Sequence, residues 1–185
     1  MSPQKSHWMS TILLSCIAIP ALVALLVITA KKSNGRVAVT AMANLRAFLL
    51  MIQYAEGTYG KDAYRTLYGG QLFTGFTDHP GIAITRSGLT STAAGAYQIL
   101  YRTWQSLQQT VRLDDFSPAN QDRAAIELIR RRGALEDVLS GRLDAAITKC
   151  RKEWASLPGA GYGQGERSLA SLVQVYQYAG GQMAA

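Results

Sequence analysis

LRAFLLMIQYAEGT, residues 45–58, is the stretch on which the fold turns. Leu45, Phe48, Leu49 and Ile52 recur at i, i+3, i+4 and i+7, one face of a helix, so the spacing predicts a core-facing helix from about Ala41 to Glu56. Glu56 follows Ile52 by four residues, on that same apolar face, just where Gly57 ends the run. A carboxyl carried to the interior side of a helix end loses hydration, and desolvation raises its pKa. A carboxyl still protonated near neutrality is what a general acid requires. A last-turn glutamate that simply reaches water is the competing reading of the same spacing.

Working outward, QLFTGFT (71–77) and GIAIT (81–85) are β-rich pieces broken by Gly, Asp and Pro, which predicts a small sheet between Gly69 and Ile84. The chain then turns helical. Tyr97, Leu100, Trp104 and Leu107 share a face. Ser117-Pro118 reads as a helix start, with an N-cap hydroxyl and proline at the first helical position, and Gly133 as an end. Leu143, Ala146, Ile147, Cys150 and Trp154 form another stripe, and Leu169, Leu172, Val173 and Tyr176 a last one. The expected class is α+β: a mostly helical domain with one small sheet after its first helix.

Thr11 to Ala30 is a run of twenty residues without formal charge. As a helix it is about 30 Å long, enough to cross the hydrocarbon core of a bilayer. It is longer than the apolar core of a cleavable signal. Ile28-Thr29-Ala30 lacks the first small residue of a cleavage site, and Ala41-Met42-Ala43 falls inside the predicted helix. The reading is therefore an uncleaved transmembrane anchor within residues 1–32, a linker over 33–40 opening with Ser33-Asn34-Gly35, and a domain over 41–185. The span is a weak one. Thr11, Ser15, Cys16 and Thr29 dilute it and Pro20 removes a helical hydrogen bond, which puts it near the insertion threshold. Charge counting sets Lys5 against Lys31, Lys32 and Arg36 and on its own leaves the domain inside the cell.

Of the 19 basic residues, Lys5, Lys31 and Lys32 lie in the first 32, so the remainder carries +4 against 12 acidic residues. That balance suits an anionic partner. No basic block is interleaved with aromatics, so nucleic acid is not expected. Arg130-Arg131-Arg132 reads as a solvated helix end favoured by the dipole. Absence of H-E-x-x-H, paired C-x-x-C and a phosphate-cradling glycine loop argues for no metal and no cofactor. His79, in Asp78-His79-Pro80, reads as a turn residue. Two cysteines do not make a disulfide framework. Cys16 and Cys150 are read as unpaired, with a bond between them after the anchor leaves the bilayer as the alternative.

FLLMIQYAEGT at 48–58, GGQLFTGFTDHP at 69–80, STAAGAYQIL at 91–100, DDFSPANQD at 114–122 and above all WASLPGAGYGQ at 154–164 resemble the lambda-type phage endolysins, lytic transglycosylases with a lysozyme-like fold. The resemblance runs from about Leu45 to Gly180 in the same order and at compatible spacing. It implies a lysozyme-like domain, peptidoglycan glycan strands as substrate and a single catalytic glutamate, which by position is Glu56. Tyr97 and Gln98 fall in the segment that lines the cleft floor in that family, with Ala96 where a basic residue is expected. Tyr162 and Gln164 fall in the P-G-A-G-Y-G-Q turn, where a phenol can stack on a sugar and an amide can bond its N-acetyl group; turn packing is their alternative role. Tyr54 and Asp78 are candidates for the rim. A monomer is expected.

A hydrolytic glycosidase normally needs two carboxylates. The other common phage lysozyme pattern puts Asp or Cys nine residues after the glutamate and Thr six further on; Arg65 and Gln71 stand there. One glutamate suffices if the C6 hydroxyl of N-acetylmuramic acid attacks its own C1, giving a 1,6-anhydro sugar. Hydrolysis using Asp62 or Asp78 is the alternative, and a tethered wall-binding protein without catalysis is a third. Endolysins similar to this chain that carry a weak N-terminal span are signal-anchor-release enzymes. The resemblance thus implies insertion by the host secretion machinery, a single pass through the host inner membrane by residues 11–30 with the domain in the periplasm, and later release there.

Overall fold

The computed structural model describes residues 35–161 and 165–184. The expected anchor at 11–30, Cys16, Tyr162 and Gln164 lie outside the described residues. The central element is helix α1, Gly35–Ala55. Leu45, Phe48, Leu49 and Ile52 are all buried as their spacing predicts, and Ala47, Met51 and Ala55 are buried with them. From Met42 to Ala55, Arg46 is the one exposed residue. A helix apolar on nearly every side belongs inside a domain or inside a bilayer. Val37–Ala55 is indeed long and apolar enough to span a membrane, but its apolar face is taken up by this domain's core.

The linker expected over 33–40 is corrected at residues 35–40, which form the first turns of α1. No breaker follows Gly35, so the helix extends backward with Val37 and Val39 exposed. The small sheet exists but sits later than expected. It is a two-stranded antiparallel hairpin, β1 (Ile84–Arg86) and β2 (Leu89–Ser91), turned by Ser87 and Gly88 at φ 49° and 79°. Positive φ at both central residues is the tight-hairpin geometry. QLFTGFT contributes only the isolated bridge between Thr66 and Leu72. That segment buries Phe73 and packs Phe76 against it, with rings 5.8 Å apart, rather than pairing as a strand.

Helix α2 is Tyr101–Gln108, α3 Pro118–Arg131, α4 Leu135–Leu139, α5 Leu143–Cys150 and α6 Leu169–Tyr178. Tyr97 and Leu100 precede α2 instead of sharing its face, because Gly95 and Gln98 take positive φ and fold Ala94 back onto Ile99. Pro118 opens α3 as expected. Ser117 caps nothing with its hydroxyl, while the Asp115 carboxylate accepts the Ser117 amide and the Asn120 side chain. Gly133 ends the run at φ 66°. The arginines that close α3 are ion-paired: Arg130 and Arg131 grip the buried Glu127, and Arg132 reaches Glu153. In α5, Leu143, Ala146, Ile147 and Cys150 face the core, and Trp154 joins them from the following loop. Helix α4 carries no signal long enough to be read from spacing.

The fully buried Gln121 of α3 holds the 91–100 segment in place. Its amide accepts from the Ala96 N–H at 2.9 Å and donates to the carbonyls of Tyr64 and Phe116 at 2.9 and 2.8 Å. Gly95 lies against that amide, so close that a Cβ there would stand 2.2 Å from Gln121 Oε1. Its φ of 77° independently favours glycine. Gly95→Ala is therefore expected to lower unfolding free energy by about 3 kcal/mol, combining left-handed strain with lost amide bonds. Urea unfolding followed by circular dichroism measures it; a loss under about 1 kcal/mol would mean the floor is not held this way.

Candidate active site

Glu56 is placed by the way α1 stops. Its amide still donates to Ile52 O at 2.9 Å, and Gly57, at φ 73°, then reverses the chain. Gly57 N–H bonds Tyr54 O and Thr58 N–H bonds Gln53 O, the paired bonds of a Schellman ending that satisfies the last carbonyls. The buried Thr58 donates its hydroxyl to Ala96 O at 2.6 Å, which ties the helix end to the 91–100 segment.

Glu56 thereby lines a groove of about 340 Å³ with Thr58, Leu67, Tyr68, Gln98 and Ser156. Ser156 Oγ donates to Glu56 Oε1 at 2.5 Å. Burial pushes the Glu56 pKa up from 4.5 to about 7, while the Ser156 hydrogen bond and the Arg167 charge pull it down. Desolvation wins because one hydroxyl and an exposed guanidinium replace only part of a carboxylate's hydration. Arg167 is held by three contacts. Its guanidinium lies 5.2 Å from the Tyr54 ring centroid, its Nε points to Ala55 O at 3.4 Å, and its backbone N–H bonds Ser156 O at 2.9 Å.

The residues singled out from the sequence divide sharply. Gln98 lines the groove beside Glu56, its amide donating to the carbonyls of Thr66 and Gly95, both at 3.0 Å. Tyr97 is not a surface contact: it is 1% exposed, its hydroxyl donates to Asp122 at 2.6 Å and its carbonyl accepts from the Trp154 indole at 3.0 Å. It supports the floor from beneath because the residue next to Gln98 in this tight turn points inward. Asp78 does not line the groove. Its carboxylate accepts from the Trp104 indole and the His79 amide, which fixes a corner of the core. Tyr54 lies under Arg167. Ala96 is fully buried, and its carbonyl receives Thr58. Asp62 lies outside the groove lining and Arg65 donates to Phe73 O, so neither meets Glu56.

His79 is buried rather than simply turning the chain: Nδ1 accepts from Gly81 N–H and Nε2 donates to Ile99 O, which defines a neutral ring. Desolvation lowers its pKa. Sequence reasoning misses Ser156 and Arg167. Ser156 lies inside WASLPGAGYGQ, where nothing in its spacing points back a hundred residues to Glu56. Arg167 lies beyond that motif. Among the described residues no three His, Cys, Asp or Glu side chains converge as a metal site would require.

A family model described as Endolysin matches residues 46–183. The endolysin of Escherichia phage P2 is 47% identical over 154 residues, covering 75% of this chain and 93% of that protein. The endolysin of Escherichia phage lambda is 43% identical over 143 residues, covering 74% and 90%. Among solved structures, bacteriophage lambda lysozyme complexed with a chitohexasaccharide aligns with a TM-score of 0.73 at 42% identity, over 77% of this chain and 97% of that one.

Two measurements test the electrostatics. Ser156→Ala removes a donor to the ionised carboxyl, so the Glu56 titration midpoint, followed by carbon-13 NMR, moves above about 7. The raised pKa also opposes folding: nothing is lost below pH 4.5, where Glu56 is protonated folded or unfolded, and the full penalty applies above about 7. Glu56→Gln is expected to leave stability unchanged at pH 4 and to raise it on the order of 2 kcal/mol at pH 8, measured by urea unfolding.

Proposed function

The chain belongs to the endolysin family, and on that premise we propose that it is a lytic transglycosylase in which Glu56 alone serves as acid and then base. The substrate is the glycan strand of bacterial peptidoglycan, cut between N-acetylmuramic acid and N-acetylglucosamine. One observation carries this reading: among the described residues, Glu56 is the single carboxylate lining the groove, half-buried and with its pKa raised to about 7.

The protonated Glu56 carboxyl donates its proton to the bridging glycosidic oxygen. The C1–O bond breaks with its electron pair passing to that oxygen. The muramic C6 hydroxyl oxygen then bonds to C1, and its proton returns to the Glu56 carboxylate. The sugar's N-acetyl group can share the positive charge on C1 between these events. The products are a new chain end and a 1,6-anhydro end, with no water consumed and the enzyme regenerated. Gln98, with its amide nitrogen committed to two backbone carbonyls, leaves its amide oxygen available to a sugar hydroxyl or an N-acetyl N–H. Hydrolysis of the same bond normally takes a second carboxylate, as base or as nucleophile, and Asp62 and Asp78 do not line the groove. Glycan as ligand is further supported by the chitohexasaccharide in the lambda lysozyme complex. Tyr162 and Gln164 remain proposed sugar contacts.

Peptidoglycan lies outside the inner membrane, so the reading extends to export. Residues 11–30 are proposed to anchor the chain in the host inner membrane after insertion by the secretion machinery, with the domain in the periplasm and a weak span permitting release. Expected on purified sacculi are products one water lighter than hydrolysis gives, identified by mass spectrometry. Their rate should fall as pH rises through about 7, because the acid form of Glu56 is lost. Glu56→Gln is expected to reduce turnover by about 10²-fold to 10⁴-fold while sacculus binding persists. Reducing ends without the anhydro bridge would establish hydrolysis instead.

A further inference from the structure

The turn that ends α1 sends its side chains to two surfaces. Ala55, Glu56, Gly57 and Thr58 line the catalytic groove, whereas Tyr54 and Tyr59 line a second groove of about 440 Å³ closed by Gln174, Val175 and Tyr178 of α6. The two share a border at which Arg167 lies over Tyr54 and beside Gly57. Tyr59 and Tyr178 are 56% and 89% exposed, unusual for rings that make no aromatic pair among the described residues.

Among the described residues the lining carries no ionised side chain: three phenol rings, one isopropyl group and one amide. An acidic lipid surface calls for lysines and arginines, which this lining lacks. Neutral sugar rings suit a lining of phenol rings. Their C–H faces stack on tyrosine, and their hydroxyls and N-acetyl groups pair with phenol and amide. Residues 54–59 of one turn line both grooves, so a polymer that leaves the catalytic groove on that side meets this surface.

We propose that Tyr54, Tyr59 and Tyr178 form a second, non-catalytic sugar-binding surface that holds the neutral N-acetylhexosamine backbone of the glycan strand beyond the cleaved bond. The proposal rests on the glycan reading above and adds a hold on the polymer separate from the chemistry. The surface acts on long strands: it keeps the enzyme on one strand between cleavages and contributes little on oligosaccharides too short to cross the turn.

The test uses the full chain bearing Glu56→Gln, which binds without cutting, in co-sedimentation with purified sacculi. Adding Tyr59→Ala and Tyr178→Ala together is expected to weaken sacculus binding about tenfold, as two stacking contacts would. Tyr59→Phe with Tyr178→Phe, which keep the rings, should restore most of it. In the same Glu56→Gln background, the alanine pair should weaken binding of sacculi more than binding of chitohexaose. Unchanged sacculus binding in the alanine pair overturns the proposal, as does an equal loss of binding to both ligands. A changed oligomeric state in place of weakened binding also overturns it, making the groove an interface between copies. If the pair melts at lower temperature, Tyr178→Ser alone, at the most exposed ring, is measured for the same loss of binding, and its absence overturns the proposal equally. Failure of the mechanism would show separately, as lysis surviving Glu56→Gln while this surface still binds sacculi.

Discussion

Thr58 reaches from the end of the core helix to the Ala96 carbonyl, and that hydrogen bond decides where Glu56 can be. A glutamate at a freely fraying helix end would swing into water and titrate as an ordinary carboxyl. Here the Schellman ending fixes the backbone and Thr58 pins it to the floor. The loop after α5 brings Ser156 over the carboxyl from a hundred residues away. The proton affinity that results is a balance. Apolar and backbone surroundings drive it up, one hydroxyl and one guanidinium drive it down, and the net effect brings the group near neutrality. Each partner in that balance is itself held. Arg167 is held by the Tyr54 ring and the Ser156 carbonyl. The floor is held by Gln121, which satisfies three backbone groups with one buried amide.

The helical skeleton is legible in the sequence because apolar spacing survives tertiary context. Leu45, Phe48, Leu49 and Ile52 have one face to bury and bury it. Glu56 is legible for the same reason, as a polar residue at an apolar position. What spacing does not reveal depends on contacts distant in sequence. The Ser156–Glu56 bond has no local pattern, and Tyr97 can be assigned to the floor but not to its underside, because the Gly95–Gln98 turn sets which residue faces out. The sheet is displaced because Phe73 and Phe76 gain more by packing into the core than by pairing as a strand, and only the Ser87-Gly88 turn closes a true hairpin. Reading Gly35 as part of a linker starts α1 too late, since it is the first helical residue.

Two stretches of this chain are long and apolar enough to suggest a span, and one of them, Val37–Ala55, enters the core of the described domain. Val37–Ala55 is apolar on the faces that other elements cover, so its hydropathy reports the core it enters. Residues 11–30 have a comparable run of uncharged side chains but lie ahead of that core in sequence. A hydropathy window alone does not separate the two. The periodic burial of Leu45, Phe48 and Ile52 against the rest of the domain accounts for the second stretch.

Cys150 is completely enclosed, and burial raises its thiol pKa to about 12. Almost none of it is thiolate at neutral pH, and thiolate is the form that alkylating reagents and disulfide exchange consume. A folded molecule can therefore stand in an oxidising compartment with this sulfur unchanged, and any pairing with Cys16 would require α5 to open first. The rate at which iodoacetamide marks Cys150 becomes a clock for that opening, built into the chain.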